Sequence, residues 1–136
     1  MRVVIDTNVL VISIPGKSKY RPIFDAYLFN KISLVITTSI FFEYVEILQQ
    51  LSKSGIAKYI EDSLVAASNV ITPSIYYYWQ LVDIDVDDNK FTDAYIAGDA
   101  EYLVTNDTHF ADVKRKGFPN INIVSADEFL EIINNL

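Results

Sequence analysis

Asp6 closes an apolar run, RVVI (2–5), and Asp107 follows a second run, EYLVT (101–105), with only Asn106 between. Both carboxylates therefore leave a strand-like segment at its carboxyl end, the edge where open parallel sheets carry their working crevice. Glu43 falls near the start of a helical stretch after SLVIT (33–37), and Asp93 falls early in a helical stretch ahead of EYLVT. Acids from four segments can thus converge. Converging carboxylates repel and raise one another's pKa, so such a cluster is tolerable where a cation sits among them. Cysteine is absent and His109 is the single histidine, which leaves oxygen donors and favours Mg2+ or Mn2+. Such an ion makes water more acidic, holds a phosphodiester oxygen and stabilises in-line displacement, which is the chemistry of phosphodiester cleavage.

Each signal has a blander reading. Asp6-Thr7-Asn8 alone serves equally as a helix N-cap, and the second acid at a second strand end is what favours metal ligation. Asn8 could orient Asp6, Thr105 could orient Asp107 or meet a phosphate, and Thr7 brings a hydroxyl to the same edge. The run Asp83, Asp85, Asp87, Asp88 lacks the glycine and final glutamate of an EF-hand loop and reads as a solvated edge. His109 is expected on a helix after LVTND, with no second imidazole for a histidine cluster. Tyr76-Tyr77-Tyr78-Trp79 could stack bases, although core or subunit interface is the favoured reading. Lys17, Lys19 and Arg21 lie close in sequence to Asp6 and are candidates for phosphate contact. Lys114-Arg115-Lys116 reads as a solvated loop or as a track for an RNA backbone.

The elements that must position these residues follow from periodicity. Strands are expected at 2–5, 33–37, 69–72, 101–105 and 121–125. Helices are expected from Tyr20 to Asn30, Ser39 to Lys53, after Ser54-Gly55 to about Ala67, Asp88 to Gly98 and Ala126 to Asn134. Ser125 and Glu128 form a capping box for the last of these. Between Leu81 and Val86 apolar and acidic residues alternate, which reads as an exposed edge segment. Strands joined through helices call for right-handed crossovers and bury both faces, so the expected architecture is a mainly parallel sheet covered by helices on both sides. With 136 residues and 51% hydrophobic content one domain, 1–136, suffices. No apolar run approaches the roughly 20 residues of a membrane span, and the lack of cysteine suits a reducing cytoplasm. The net charge of −7 argues against non-specific adhesion to nucleic acid, although metal binding would invert the local sign.

Taken together, MRVVIDTNVLV, the glutamate of FFEYVEIL, DDNKFTDAYIAGDAEYLVTNDTHF and the ending INIVSADEFL resemble a PIN domain over nearly the whole chain. They are most similar to the branch that supplies toxin components of toxin–antitoxin pairs, the VapC-type toxins. The resemblance implies a three-layer α/β/α sandwich and a divalent-metal-dependent endoribonuclease with an RNA substrate, an antitoxin protein as partner and frequent homodimers. Carried over by position, the acids are Asp6, Glu43, Asp93 and Asp107, with Asn8 and Thr105 in supporting places. Asp88 competes with Asp93 for the third role, and Asp93 is preferred because Ala94 follows it. Two other functions fit the same residues: a module that keeps the fold and binds RNA without cleaving it, and a nuclease acting on DNA or structured nucleic acid.

Overall fold

The computed structural model describes residues 1–51 and 55–136. Five strands, β1 (Arg2–Ile5), β2 (Ser33–Val35), β3 (Val70–Ile71), β4 (Tyr102–Val104) and β5 (Ile123–Val124), form one sheet in the order β3-β2-β1-β4-β5. Every pairing is parallel; Val3 sits opposite Leu34 on one side and Tyr102 on the other. Consecutive strand residues point to opposite faces, yet Val3, Val4 and Ile5 are all buried, as are Leu103 and Val104. The sheet is therefore covered on both faces, which is why its strands are continuous branched runs and not alternating ones.

The covering helices are α1 (Thr7–Ser13), α2 (Arg21–Leu28), α3 (Thr38–Leu51), α4 (Ile56–Ala66), α5 (Asn89–Ala97), α6 (Ala111–Lys116) and α7 (Ala126–Asn134). They complete a three-layer α/β/α sandwich. Ile40, Tyr44 and Leu48 form the buried stripe of α3, spaced by fours as an amphipathic helix demands. Ser125 and Glu128 exchange the two bonds of the capping box that starts α7. Close packing of α5 on the sheet depends on Gly98, where an added Cβ would collide with the Val35 side chain.

Several local expectations are corrected. A helix, α1, follows β1 at once, although TNVLVIS is rich in branched residues; Asp6 takes the N-cap position without lending its side chain as a cap. The alternating stretch from Leu81 to Val86 forms no strand. The Asn89 side chain accepts from the Val82 N–H at 2.8 Å and donates to the Val82 carbonyl at 3.1 Å, so one amide takes the two backbone groups a neighbouring strand would use. Asp85 then caps a 3-10 turn, Val86–Asp88, that leads into α5. Lys114, Arg115 and Lys116 belong to α6, not to a loop; Arg115 pairs with Asp112, and Lys116 bonds the Leu81 carbonyl at 3.0 Å. Tyr76, Tyr77 and Tyr78 are exposed and outside the core, because the segment carrying them joins no sheet or helix. The expected end of the second helix at Lys53 and the break at Ser54 lie outside the described residues.

Candidate active site

The sheet order places the reversal of winding beside β1: the chain steps from β1 out to β2 and β3, then returns to add β4 and β5 on the other side. At such a switch point the two flanking loops diverge and leave a crevice at the carboxyl edge. Asp6 and Asp107 leave the two strands that flank it. Asp6 is 7% exposed, and its Oδ2 accepts the Thr105 hydroxyl at 2.8 Å. The same hydroxyl oxygen accepts the Asp107 N–H at 3.0 Å, so one threonine joins both acids. Burial is the main cause that raises the Asp6 pKa, with Thr105 opposing and the charges of Asp107 and Glu43 adding to the rise.

Glu43 reaches the cluster from α3 and is held from two sides. The Thr7 hydroxyl donates to Oε2, and the Lys90 ammonium lies 2.6 Å from Oε1. Lys90 also pairs with Asp87 at 3.0 Å. Burial pulls the lysine's pKa down, and these two carboxylates outweigh it, so the net shift is upward. Beneath the site the buried Tyr44 phenol donates to the Ile5 carbonyl, and burial with the charges of Asp6 and Glu43 keeps it protonated.

Asp88, at the N-cap of α5, closes the ring of acids. Its pKa is pushed up to about 6, first by burial and then by the charges of Asp85, Asp107 and Asp6, against a hydrogen bond from His109. The His109 Nδ1 lies 3.3 Å from both Asp88 Oδ2 and Asp107 Oδ1. Asp107 in turn accepts the His109 backbone N–H at 2.9 Å and caps a 3-10 turn, Thr108–Phe110. The histidine thus stands on this turn and not on the following helix. Asp85, Asp88 and His109 each offer a ligand atom, all within 4.8 Å of one another. An oxygen-rich set with one imidazole suits a hard or borderline divalent ion.

A model of the PIN domain family matches residues 2–109. The chain is a member of the PIN domain family. No curated protein matches the chain by sequence. Its fold is similar to that of VapBC2 from Rickettsia felis bound to a DNA fragment from their promoter, with a TM-score of 0.64, 20% identity and coverage of 92% of this chain and 98% of that one. It is also similar to VapBC-1 from nontypeable Haemophilus influenzae, with 0.59, 14%, 93% and 99% for the same measures. For FitAcB from Neisseria gonorrhoeae they are 0.56, 12%, 91% and 97%.

In this PIN domain Asp6, Glu43, Asp88 and Asp107 come together, and Asp93 does not join them. Asp93 is 5% exposed; burial raises its pKa and the Trp79 N–H, 3.0 Å from Oδ1, opposes the rise. Asn8 is exposed. Lys19 is held by Asp127 at 2.8 Å and Arg21 by Asp25 at 2.8 Å, so both are engaged elsewhere. Lys90, His109 and Asp85, which stand in or beside this site, carry no site role in the expectations drawn from sequence. The signal for Lys90 was its place two residues after Asp88 in DDNKF, on the turn that enters the acid cluster.

Proposed function

We propose that this PIN domain is a divalent-metal-dependent endoribonuclease and the toxin of a toxin–antitoxin pair. PIN domains are generally nucleases. The observation that carries the reading is the Thr105 hydroxyl bonded to both Asp6 and Asp107, with Asp88 and His109 closing the same space. Burial and the neighbouring carboxylates raise the pKa of Asp6 and of Asp88, and a cation removes that cost. The likeness in fold to the VapBC complexes supports a protein antitoxin as partner.

Asp6, Asp107 and Asp88 would hold the ion, Mg2+ or Mn2+, with Asp85 and His109 on the open side. When bound, the ion supplies Lewis-acid stabilisation of the charge that builds on a cleaving phosphodiester and makes water more acidic. The remaining work belongs to the chain. Thr105 fixes the Asp6 carboxylate in place, and the Asp107 backbone is tied to the same hydroxyl. Glu43, oriented by Thr7 and Lys90, would accept a hydrogen bond from the attacking water and position it. Lys90, taken up by Glu43 and Asp87, offsets part of the negative charge along this edge. Single-stranded or looped RNA has a backbone free to bend into this crevice.

The test is cleavage of labelled single-stranded RNA with and without Mn2+, for the native chain and for Asp6→Asn/Asp107→Asn. Metal-dependent cleavage that falls by about two to three orders of magnitude in the double variant is expected, the loss of several kcal/mol of charge stabilisation. Equal activity in both preparations would end the proposal, and binding without cleavage would favour the RNA-binding module.

A further inference from the structure

Beside the acid cluster, beyond Lys90, lies a cavity of about 1120 Å³. It opens at the carboxyl ends of β2 and β3, where Thr37 and Thr72 line it, and Tyr78, Gln80, Lys90 and Asp93 form other parts of its wall. Asp93 is the unusual member. Among the described residues Asp6 and Asp93 are the two buried acids, and Asp93 has no cation against it; the Trp79 N–H is its hydrogen-bond donor. The carboxylate accepts one backbone N–H and borders the cavity, so its remaining lone pairs are available to a ligand that brings hydrogen-bond donors.

We propose that this cavity is a nucleobase subsite in which Asp93 accepts the N–H groups of a guanine, seated so that the attached phosphate faces the acid cluster. The proposal rests on the ribonuclease reading for its substrate class. The charges on the wall are Asp83, Asp87, Asp93 and one cation, Lys90, so the cavity repels phosphate and admits the uncharged part of a nucleotide. A carboxylate accepts and cannot donate. Guanine alone among the RNA bases presents two adjacent N–H donors, N1–H and the N2 amino group, on its Watson–Crick edge. The Trp79 N–H orients the carboxylate in advance, and the exposed Tyr78 offers a ring on which a base can stack. Lys90 belongs to the cavity wall and bonds Glu43 at 2.6 Å, so the cavity borders the acid cluster and a nucleotide can extend from one to the other.

The test measures binding with no catalysis involved. In excess chelator, titrate the full chain with GMP, IMP and UMP and follow the intrinsic fluorescence of Trp79 and its tyrosine neighbours. GMP is expected to bind roughly tenfold or more tightly than UMP, as a bidentate base contact allows, with IMP between them because it lacks the N2 amino group. Asp93→Asn, which keeps an oxygen for the Trp79 N–H, should erase the preference. Tyr78→Ala, on the surface, should weaken all three ligands alike and keep their order, and Asp6→Asn should also keep it. Equal binding of GMP and UMP, or a preference that survives Asp93→Asn, would overturn the subsite. RNA cleavage is read separately: a guanine preference in a chain that cleaves nothing leaves the subsite standing and removes the ribonuclease, and cleavage without the preference does the reverse.

Discussion

Among the described residues the two buried acids, Asp6 and Asp93, share one physical problem and meet it differently. Each is almost fully enclosed, and in each burial is the largest cause that raises the pKa. Asp6 is surrounded by further carboxylates and steadied by a side-chain hydroxyl; Asp93 faces a backbone N–H and a cavity. Burial alone therefore does not mark a metal ligand. The neighbours decide, because like charges are an added cost that a cation reverses, whereas a lone carboxylate is satisfied by donors of any kind.

The largest effect that can sharpen this contrast comes from exchanging the two acids that the sequence leaves in competition. Asp88→Asn should lower metal-dependent RNA cleavage by about two to three orders of magnitude, as expected for a group that stabilises charge in the transition state. Asp93→Asn should cost roughly tenfold at the preferred sites through the lost base contact. Initial rates on one RNA at saturating Mn2+ separate them. If Asp93→Asn is the more damaging, the assignment of the third acid reverts to Asp93.

Much of this arrangement was legible in the sequence. The runs at 2–5, 33–37, 69–72, 101–105 and 121–125 contain the five observed strands, because a parallel sheet buried on both faces writes itself as branched apolar runs. Asp6 and Asp107 were assigned to the same edge on that basis. The choice between Asp88 and Asp93 was not legible. Asp88 ends the 3-10 turn at the N-cap of α5 whereas Asp93 lies within the helix, so the two acids are carried by different local geometries, and the packing of α5 on β1 and β4 fixes which of them meets Asp6. Alternation from Leu81 to Val86 misled for a related reason: a period of two needs a partner strand to matter, and the Asn89 amide occupies Val82 first. His109 stands alone as a histidine in the sequence, which hides its role, and a 3-10 turn capped by Asp107 brings it to Asp88 and Asp107.

A smaller effect tests the hydroxyl that distinguishes Asp6 from Asp93. Thr105→Val keeps the shape of the side chain while removing the donor to Asp6 and the acceptor of the Asp107 N–H. Leaving a buried charged group short of a partner costs about 1–3 kcal/mol, which should appear as a lower denaturation midpoint with an unchanged slope. Saturating Mn2+ should recover part of the loss, since a ligand that binds the folded state stabilises it. An unchanged midpoint would mean that solvent satisfies Asp6 and that Thr105 does not tie the two acids together.

The smallest effect is the pH dependence of stability without metal, and its sign discriminates. Asp88 titrates at about 6 in the folded chain against an ordinary value of 3.8, and Asp6 and Asp93 are raised as well. Between those values the folded state holds protons that the unfolded state has released. Their contribution to stability should therefore fall as pH rises from about 4 to 6 and then level off, opposite to that of Asp127 and Glu128, whose carboxyls are held below their usual range. Thermal midpoints across that range in chelator should show a shallow decline, reduced in Asp88→Asn through the cluster and in Asp93→Asn through the cavity. Only the cluster's share should vanish when Mn2+ is added, because a cation among Asp6, Asp88 and Asp107 favours their charged forms and does nothing for a carboxylate that faces the cavity. Identical pH profiles for the native chain and Asp88→Asn in chelator would show that the cluster's acids are already balanced by the protein, which removes the reason for an ion among them, since Asp127 and Glu128 act equally in both.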